Sequence, residues 1–228
     1  MNPRDLVVTE SGELDSTAAE MMIRTVHDAL KVREQVHLCL SGDPRLGGLY
    51  RRFLAQELPW RRLHLYLAEA RTAWSDGTIL EGSRIPAPQI YAVDSPAADP
   101  EAAARSYAEL LPPTFDLVVV ALRPDGGVAG LDPGSPAVTD ARRKVAPVES
   151  SAEAVTVTVT PRVIMAARTV LVTAAGPENA PAVKKALQGP YELVASPAQV
   201  ARSGVWILDR PASELLDPPE LVPPEPAR

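Results

Sequence analysis

The sequence contains a single cysteine, Cys39, and few aromatic residues, which make up 4% of its 228 positions. One thiol cannot form a disulfide or a thiolate metal site within the chain. Cys39 lies in the apolar run Val36–Leu40, which predicts a buried and unreactive thiol. No apolar run approaches the roughly 20 residues of a membrane span, and the first residues carry no signal-peptide core. We therefore expect a cytoplasmic protein without a membrane partner.

The sequence also has no excess of basic residues. The chain has 23 Lys and Arg against 29 Asp and Glu, a net charge of −6 and a pI near 5.2. Its basic residues are scattered apart from short groups such as residues 142–144, so we expect no nucleic-acid partner. Many of the 24 prolines lie near the end of the chain. This composition predicts a single domain over residues 1–213 and a proline-rich, disordered tail over residues 214–228.

An apolar, β-branched run at residues 115–122 is typical of a parallel strand that is buried on both faces. Shorter apolar runs on either side alternate with segments of helical spacing. This alternation predicts an α/β fold with a doubly wound, mostly parallel sheet flanked by helices. The expected strands cover residues 5–9, 36–40, 63–67, 89–93, 115–122, 155–160, 169–174 and 205–208, and the expected helices cover residues 14–32, 44–58, 99–111, 161–167 and 178–187.

Ligands of such sheets collect at the carboxyl ends of the strands, so we expect a site in the loops that follow the second, third and central strands. The first of these loops, residues 41–48, joins a strand to a helix through small residues, which is a geometry that binds anions. The last, residues 123–134, is rich in Gly, Pro and Asp. The threonine row at residues 156, 158 and 160 predicts a strand with an exposed hydroxyl face.

The C-terminal third carries four recognisable segments. They are Thr160 to Arg168 (TPRVIMAAR), Glu178 to Tyr191, Pro197 to Gln199 (PAQ) and Trp206 to Asp209 (WILD). Together they resemble the 6-phosphogluconolactonase family, which shares its fold with glucosamine-6-phosphate deaminases, and the similarity spans residues 5–213. The resemblance implies the Rossmann-like fold of sugar-phosphate isomerases and lactonases, with no metal and no cofactor.

The segments that carry function in this family are altered here. In the phosphate loop, usually SGGSTP, Ser41 and Gly42 are followed by Asp43, Pro44 and Arg45. The family's DER triplet corresponds to Glu69-Ala70-Arg71, and an arginine usual at the start of the later alternating strand is Thr156. The central loop keeps Asp125 and Gly126 but has Gly127 where the resemblance implies the histidine that acts as general base. A lactonase lacking that base is expected to be badly impaired.

Two functions remain open. The first is a hydrolase of sugar lactones, or a relative acting on another sugar, with carboxylates replacing the histidine; its substrate is a small sugar or lactone that is phosphorylated or not. The candidate catalytic residues are Asp43, Glu69 and Asp125, and the candidate substrate-binding residues are Ser41, Gly42, Arg45, Arg71, Arg123 and Gly126. The second is an inactive relative that binds a protein partner in the pentose phosphate pathway. A nucleotide-binding protein is disfavoured because residues 41–48 lack GxGxxG.

Each charged candidate also has a structural explanation. Pro-Asp-Gly is a strong turn sequence, so Asp125 is expected to bond its own backbone. Asp43 before Pro44 is a typical helix cap. Glu69 and Arg71 fit a solvated or mutually paired couple equally well.

Overall fold

The computed structural model describes residues 5–71, 84–93, 99–148 and 155–218. Most of the predicted irregular stretch, residues 72–88, therefore lies outside the described residues, as does the tail beyond residue 218. The first tail residues contact the domain: the backbone N–H of Asp217 donates to Gln188 Oε1 at 3.0 Å, and Asp217 pairs with Lys184. The disordered state of the tail remains a prediction.

The main sheet confirms the predicted doubly wound α/β fold. Its seven strands are all parallel and follow the order β1-β10-β9-β6-β2-β3-β5, so the central strand β6 lies in the middle. The strand order reverses direction between β2 and β6, because the chain proceeds from β2 to one edge and from β6 to the other. Its strands are β1 (Asp5–Thr9), β2 (Val36–Leu40), β3 (Leu63–Leu67), β5 (Ile90–Tyr91), β6 (Leu117–Ala121), β9 (Val170–Ala174) and β10 (Val205–Asp209).

Six α-helices connect the strands that the structure describes. They are α1 (Leu14–Leu30), α2 (Gly47–Leu54), α3 (Pro100–Leu110), α4 (Pro161–Met165), α5 (Ala180–Gln188) and α6 (Arg210–Ser213). Asp99 caps α3, since its side chain accepts from the Ala102 N–H. Helix α1 begins at Leu14, as predicted, and Glu13 at its N-cap position forms no side-chain cap hydrogen bond. None of the helices in the described ranges is long and apolar enough to cross a membrane.

Two hydrophobic cores cover the two faces of the sheet. Leu38 and Leu40 of β2 belong to the core formed with α1 and α2, whereas Cys39 between them belongs to the core on the opposite face. This division follows from the two-residue period of a strand. Cys39 is completely buried, and burial raises the pKa of its thiol, as expected for an unreactive side chain.

A second, three-stranded antiparallel sheet was not predicted. It consists of β4 (Glu69–Arg71), β8 (Val155–Val159) and β7 (Val145–Pro147), in that order. The predicted exposed threonine face is wrong for Thr158 in β8 and for Thr160 just after it, because neither residue has exposed surface. The Thr160 hydroxyl donates to the Arg143 carbonyl at 2.6 Å, so the hydroxyls hold neighbouring loops.

At the amino edge of the main sheet, the buried carboxylate of Asp116 joins three segments. It accepts from the His37 N–H at 2.9 Å and lies 3.2 Å from Arg33 Nε and 3.4 Å from Arg168 Nε. A buried carboxylate is stable only when it is paired in this way. Asp116 therefore fixes β6 against β2 and against the entry to β9.

Replacing Asp116 with Ala is expected to lower the free energy of unfolding by about 1–3 kcal/mol, because the His37 N–H loses its acceptor and Arg33 and Arg168 lose their ion-pair partner. Urea denaturation measures the change. The control is Asp28→Ala, which removes an exposed carboxylate paired with Lys31; we expect a loss of less than about 1 kcal/mol. Equal effects of the two substitutions would contradict the role of Asp116.

Candidate functional site

The loop after β2 meets the start of β4 around a buried carboxylate. Glu69 has no exposed surface, and its Oε1 accepts from the Ser41 hydroxyl at 2.8 Å and from the Gly42 N–H at 2.9 Å. The predicted alternative of a solvated Glu69 is therefore wrong. The Tyr50 hydroxyl donates to the Ser41 carbonyl, and burial together with the charge of Glu69 raises the pKa of Tyr50 well above its usual value. Arg71 lies in β4, but its side chain is outside the described part of the chain.

Asp43 and Arg45 form an ion pair within the same loop. Asp43 is 3% exposed, and its Oδ1 accepts from the backbone N–H of Arg45 at 3.0 Å and from Arg45 Nε at 2.8 Å. It caps a short 3-10 helix, Pro44–Leu46, which confirms the predicted cap. Arg45 Nη1 also donates to the Leu122 carbonyl at 3.0 Å. The pair thus joins the loop after β2 to the end of β6.

The loop after β6 is built around Arg123. Its side chain is 9% exposed and pairs with Asp125 at 3.2 Å and with Asp132. Burial alone lowers the pKa of Arg123, but the two carboxylates outweigh it and hold the pKa above its usual value. Asp125 Oδ1 also accepts from the Gly127 N–H at 2.8 Å, which confirms that this aspartate bonds the backbone of its own turn. The Asp125 side chain is 52% exposed, unlike the buried Asp43 and Glu69.

Contacts with distant segments fix the shape of this loop. Gly126 adopts a φ of +91°, and its carbonyl accepts from the Ala198 N–H at 2.9 Å. Ala129 has a φ of +47°, which costs an alanine about 1–2 kcal/mol. The Thr158 hydroxyl donates to the Ala129 carbonyl and so stabilises the turn from β8.

Position 127 has no room for a side chain. A Cβ placed on Gly127 would overlap Arg123 Nη2, would lie 2.6 Å from Arg123 Cζ and would lie 2.9 Å from the Leu131 carbonyl oxygen. The guanidinium of Arg123 therefore occupies the space that any side chain at position 127 must enter.

The structure thus groups the candidate residues in three clusters. Ser41 and Gly42 bind Glu69, Asp43 binds Arg45, and Asp125 binds Arg123 with Gly126 in the turn between them. Sequence reasoning missed Asp132 and Thr158, because nothing local indicates a partner 9 or 29 residues away. Among the described residues, no group of three or more His, Cys, Asp or Glu is placed to hold a metal ion.

Replacing Gly127 with Ala is expected to destabilise the protein by about 1–3 kcal/mol, because the added methyl group overlaps Arg123 and the Leu131 carbonyl. Urea denaturation measures the loss. The control is Gly47→Ala at the start of α2, where a Cβ lies 3.5 Å from its nearest neighbour, Arg51 Nη1. We expect that variant to keep or slightly raise stability.

The double variant Arg123→Ser/Gly127→Ala tests the cause. We expect it to lose less stability than the sum of the single variants, because removing the guanidinium removes most of the overlap. Strictly additive losses would show that Arg123 does not limit position 127.

Comparisons with known proteins agree with the fold. The family model for glucosamine-6-phosphate isomerases/6-phosphogluconolactonase matches residues 9–207. The chain is 32% identical to a 6-phosphogluconolactonase of Streptomyces coelicolor, over 96% of this chain and 97% of that protein. It is 27% identical to one of Mycobacterium tuberculosis, over 92% and 97%. A solved 6-phosphogluconolactonase of Trypanosoma brucei has the same fold, with a TM-score of 0.84, 23% identity and coverage of 95% of this chain and 100% of that one. The chain belongs to the glucosamine-6-phosphate isomerase/6-phosphogluconolactonase family.

Proposed function

We propose that the protein is a hydrolase of carbohydrate metabolism that opens a sugar lactone, with Asp125 as the carboxylate that activates water. Family membership supports the reaction class, since relatives that match nearly the whole chain are named 6-phosphogluconolactonase. The observation that carries the choice of residue is exposure. Asp125 is half exposed at the carboxyl edge of the sheet, whereas Glu69 and Asp43 are buried and hydrogen-bonded.

The proposed chemistry needs one base. Asp125 accepts a proton from a water molecule while the water oxygen attacks the lactone carbonyl carbon. The tetrahedral intermediate then expels the ring oxygen, which takes up the proton from Asp125, so the product is the open-chain hydroxy acid and the carboxylate is regenerated. Arg123 orients the carboxylate through their ion pair at 3.2 Å. The substrate-binding roles of Ser41, Gly42, Arg45, Arg71, Arg123 and Gly126 stay predictions.

Replacing Asp125 with Asn keeps its size but removes the base, so we expect hydrolysis above the spontaneous rate to fall by about 10²-fold or more. The assay follows acid release from freshly prepared glucono-1,5-lactone and from its 6-phosphate. Asp28→Asn on α1 is the control and should keep the parental rate. An Asp125→Asn variant with full activity would remove Asp125 from the mechanism.

A second candidate function is an inactive relative that binds a protein partner, for which an enzyme of the pentose phosphate pathway is the hypothesis. The packing at position 127 favours it, because Arg123 fills the space in which the family resemblance implies a histidine. A parental protein that never exceeds the spontaneous rate would support this candidate.

The same packing yields a test by restoration. For an inactive parental protein, we expect Gly127→His alone to add no lactone hydrolysis, because Arg123 leaves no space for the imidazole, and we expect Gly127→His/Arg123→Ser to gain hydrolysis over the parent. The hydrolysis assay reads both variants after circular dichroism has shown that they fold. Equal rates for the two variants would contradict the view that Arg123 excludes a base from this position.

A further inference from the structure

A cavity of about 300 Å³ lies at the carboxyl edge of the main sheet, beyond the ends of β6, β9 and β10. Gly12 of the loop after β1 and the first two residues of α1, Leu14 and Asp15, contribute to its wall, as do Ala121 at the end of β6 and Leu122 just after it. Ligand cavities in proteins measure about 300–1,000 Å³, so this one suits a single sugar-sized ring. Its position is also the one at which ligands of open α/β sheets bind.

The wall contains a buried amide with an unused acceptor. Asn179 is 2% exposed, and its Nδ2 donates to the Ala175 carbonyl at 2.6 Å. Since a carbonyl can only accept, this bond fixes which end of the amide is which. The other end, Oδ1, has no hydrogen-bond partner within the described ranges of the chain. A buried acceptor of this kind calls for a donor, and a ligand in the cavity would supply it.

Among the described residues, the charged side chains that line the cavity are two carboxylates and one arginine, and the arginine is already paired with a carboxylate. Asp209 and Asp15 both line it, and Asp15 lies 3.9 Å from Arg52. Arg45 is the one basic residue among the lining residues described, and it is engaged by Asp43 and by the Leu122 carbonyl. A phosphate dianion would meet like charges here, whereas hydroxyl groups would meet acceptors. The apolar surfaces of Leu14 and Leu122 suit the C–H face of a ring.

We propose that this cavity binds an uncharged, polyhydroxylated ring, with one hydroxyl donating to Asn179 Oδ1 and another to Asp15. Where the hydrolase of the proposed function uses this cavity, its substrate is an unphosphorylated sugar lactone. The identity of the substrate rests on the proposed function, whereas binding of the ring does not and is measured without turnover.

The probe is D-glucono-1,5-lactam, which keeps the ring and hydroxyls of the lactone but is not hydrolysed, and calorimetry compares it with its 6-phosphate. We expect the neutral lactam to bind at least tenfold more tightly than the phosphorylated one. Asn179→Leu is expected to weaken binding of the neutral lactam by about tenfold, as for a lost hydrogen bond in a buried site. Asp15→Asn is a milder second variant, because Asp15 is partly exposed and the change conserves its shape. We expect it to lower the affinity for the neutral lactam and to reduce the ratio of the two affinities.

The control is Thr25→Ala, in a larger cavity of about 440 Å³ at the opposite edge of the sheet. It should leave both affinities unchanged. Three results would overturn the proposal. The first is tighter binding of the phosphorylated lactam, and the second is no binding of the neutral lactam. The third is that neither Asn179→Leu nor Asp15→Asn changes the affinity for the neutral lactam. Binding of the neutral lactam without hydrolysis of the lactone would support the cavity and reject the hydrolase. Hydrolysis of the lactone 6-phosphate without hydrolysis of the neutral lactone would support the hydrolase and reject the neutral ligand of the cavity.

Discussion

The burial of β6 on both faces of the main sheet is the constraint on which the candidate site depends. Each of its five residues is buried, so the loop that follows leaves the sheet from a fixed point. Arg123 comes two residues after the strand and is itself almost buried. A buried guanidinium is costly unless carboxylates pair with it, and Asp125 and Asp132 do so. The loop is thus folded around one neutralised charge.

The packing of this loop couples the residue at position 123 to the residue at position 127. The guanidinium of Arg123 and a side chain at position 127 compete for the same volume, so glycine at 127 is a packing requirement as well as an absent base. The loop cannot relax easily to admit a side chain, since the Gly126 carbonyl is bonded to Ala198 and the Ala129 carbonyl to Thr158. Restoring a base therefore requires removing the arginine.

The sequence predicted the elements whose signal is local. Apolar runs of five residues predicted the parallel strands, and Asp43 before Pro44 and Asp125 before Gly126 predicted a cap and a turn that the structure confirms. Strands β4 and β7 have three residues each, too few to show a period, so the second sheet was missed. The burial of Thr158 follows from that sheet, because alternation identifies two faces of a strand without telling what covers them. The pairing of Arg123 with Asp132 likewise depends on how the loop closes.

At the carboxyl edge of the main sheet, Arg45 and Arg123 are already paired with carboxylates. Arg45 is engaged by Asp43, and Arg123 is engaged by Asp125 and Asp132. An anion would have to take an arginine from its carboxylate, at a cost of about 1.5–3 kcal/mol for each charge-assisted hydrogen bond that is lost. A hydroxyl group breaks no ion pair, and it donates to acceptors such as Asn179 Oδ1 that lack a partner among the described residues. On the proposal that the cavity binds an uncharged ring, the same ion pairs that hold the loops together are what disfavour a phosphorylated sugar.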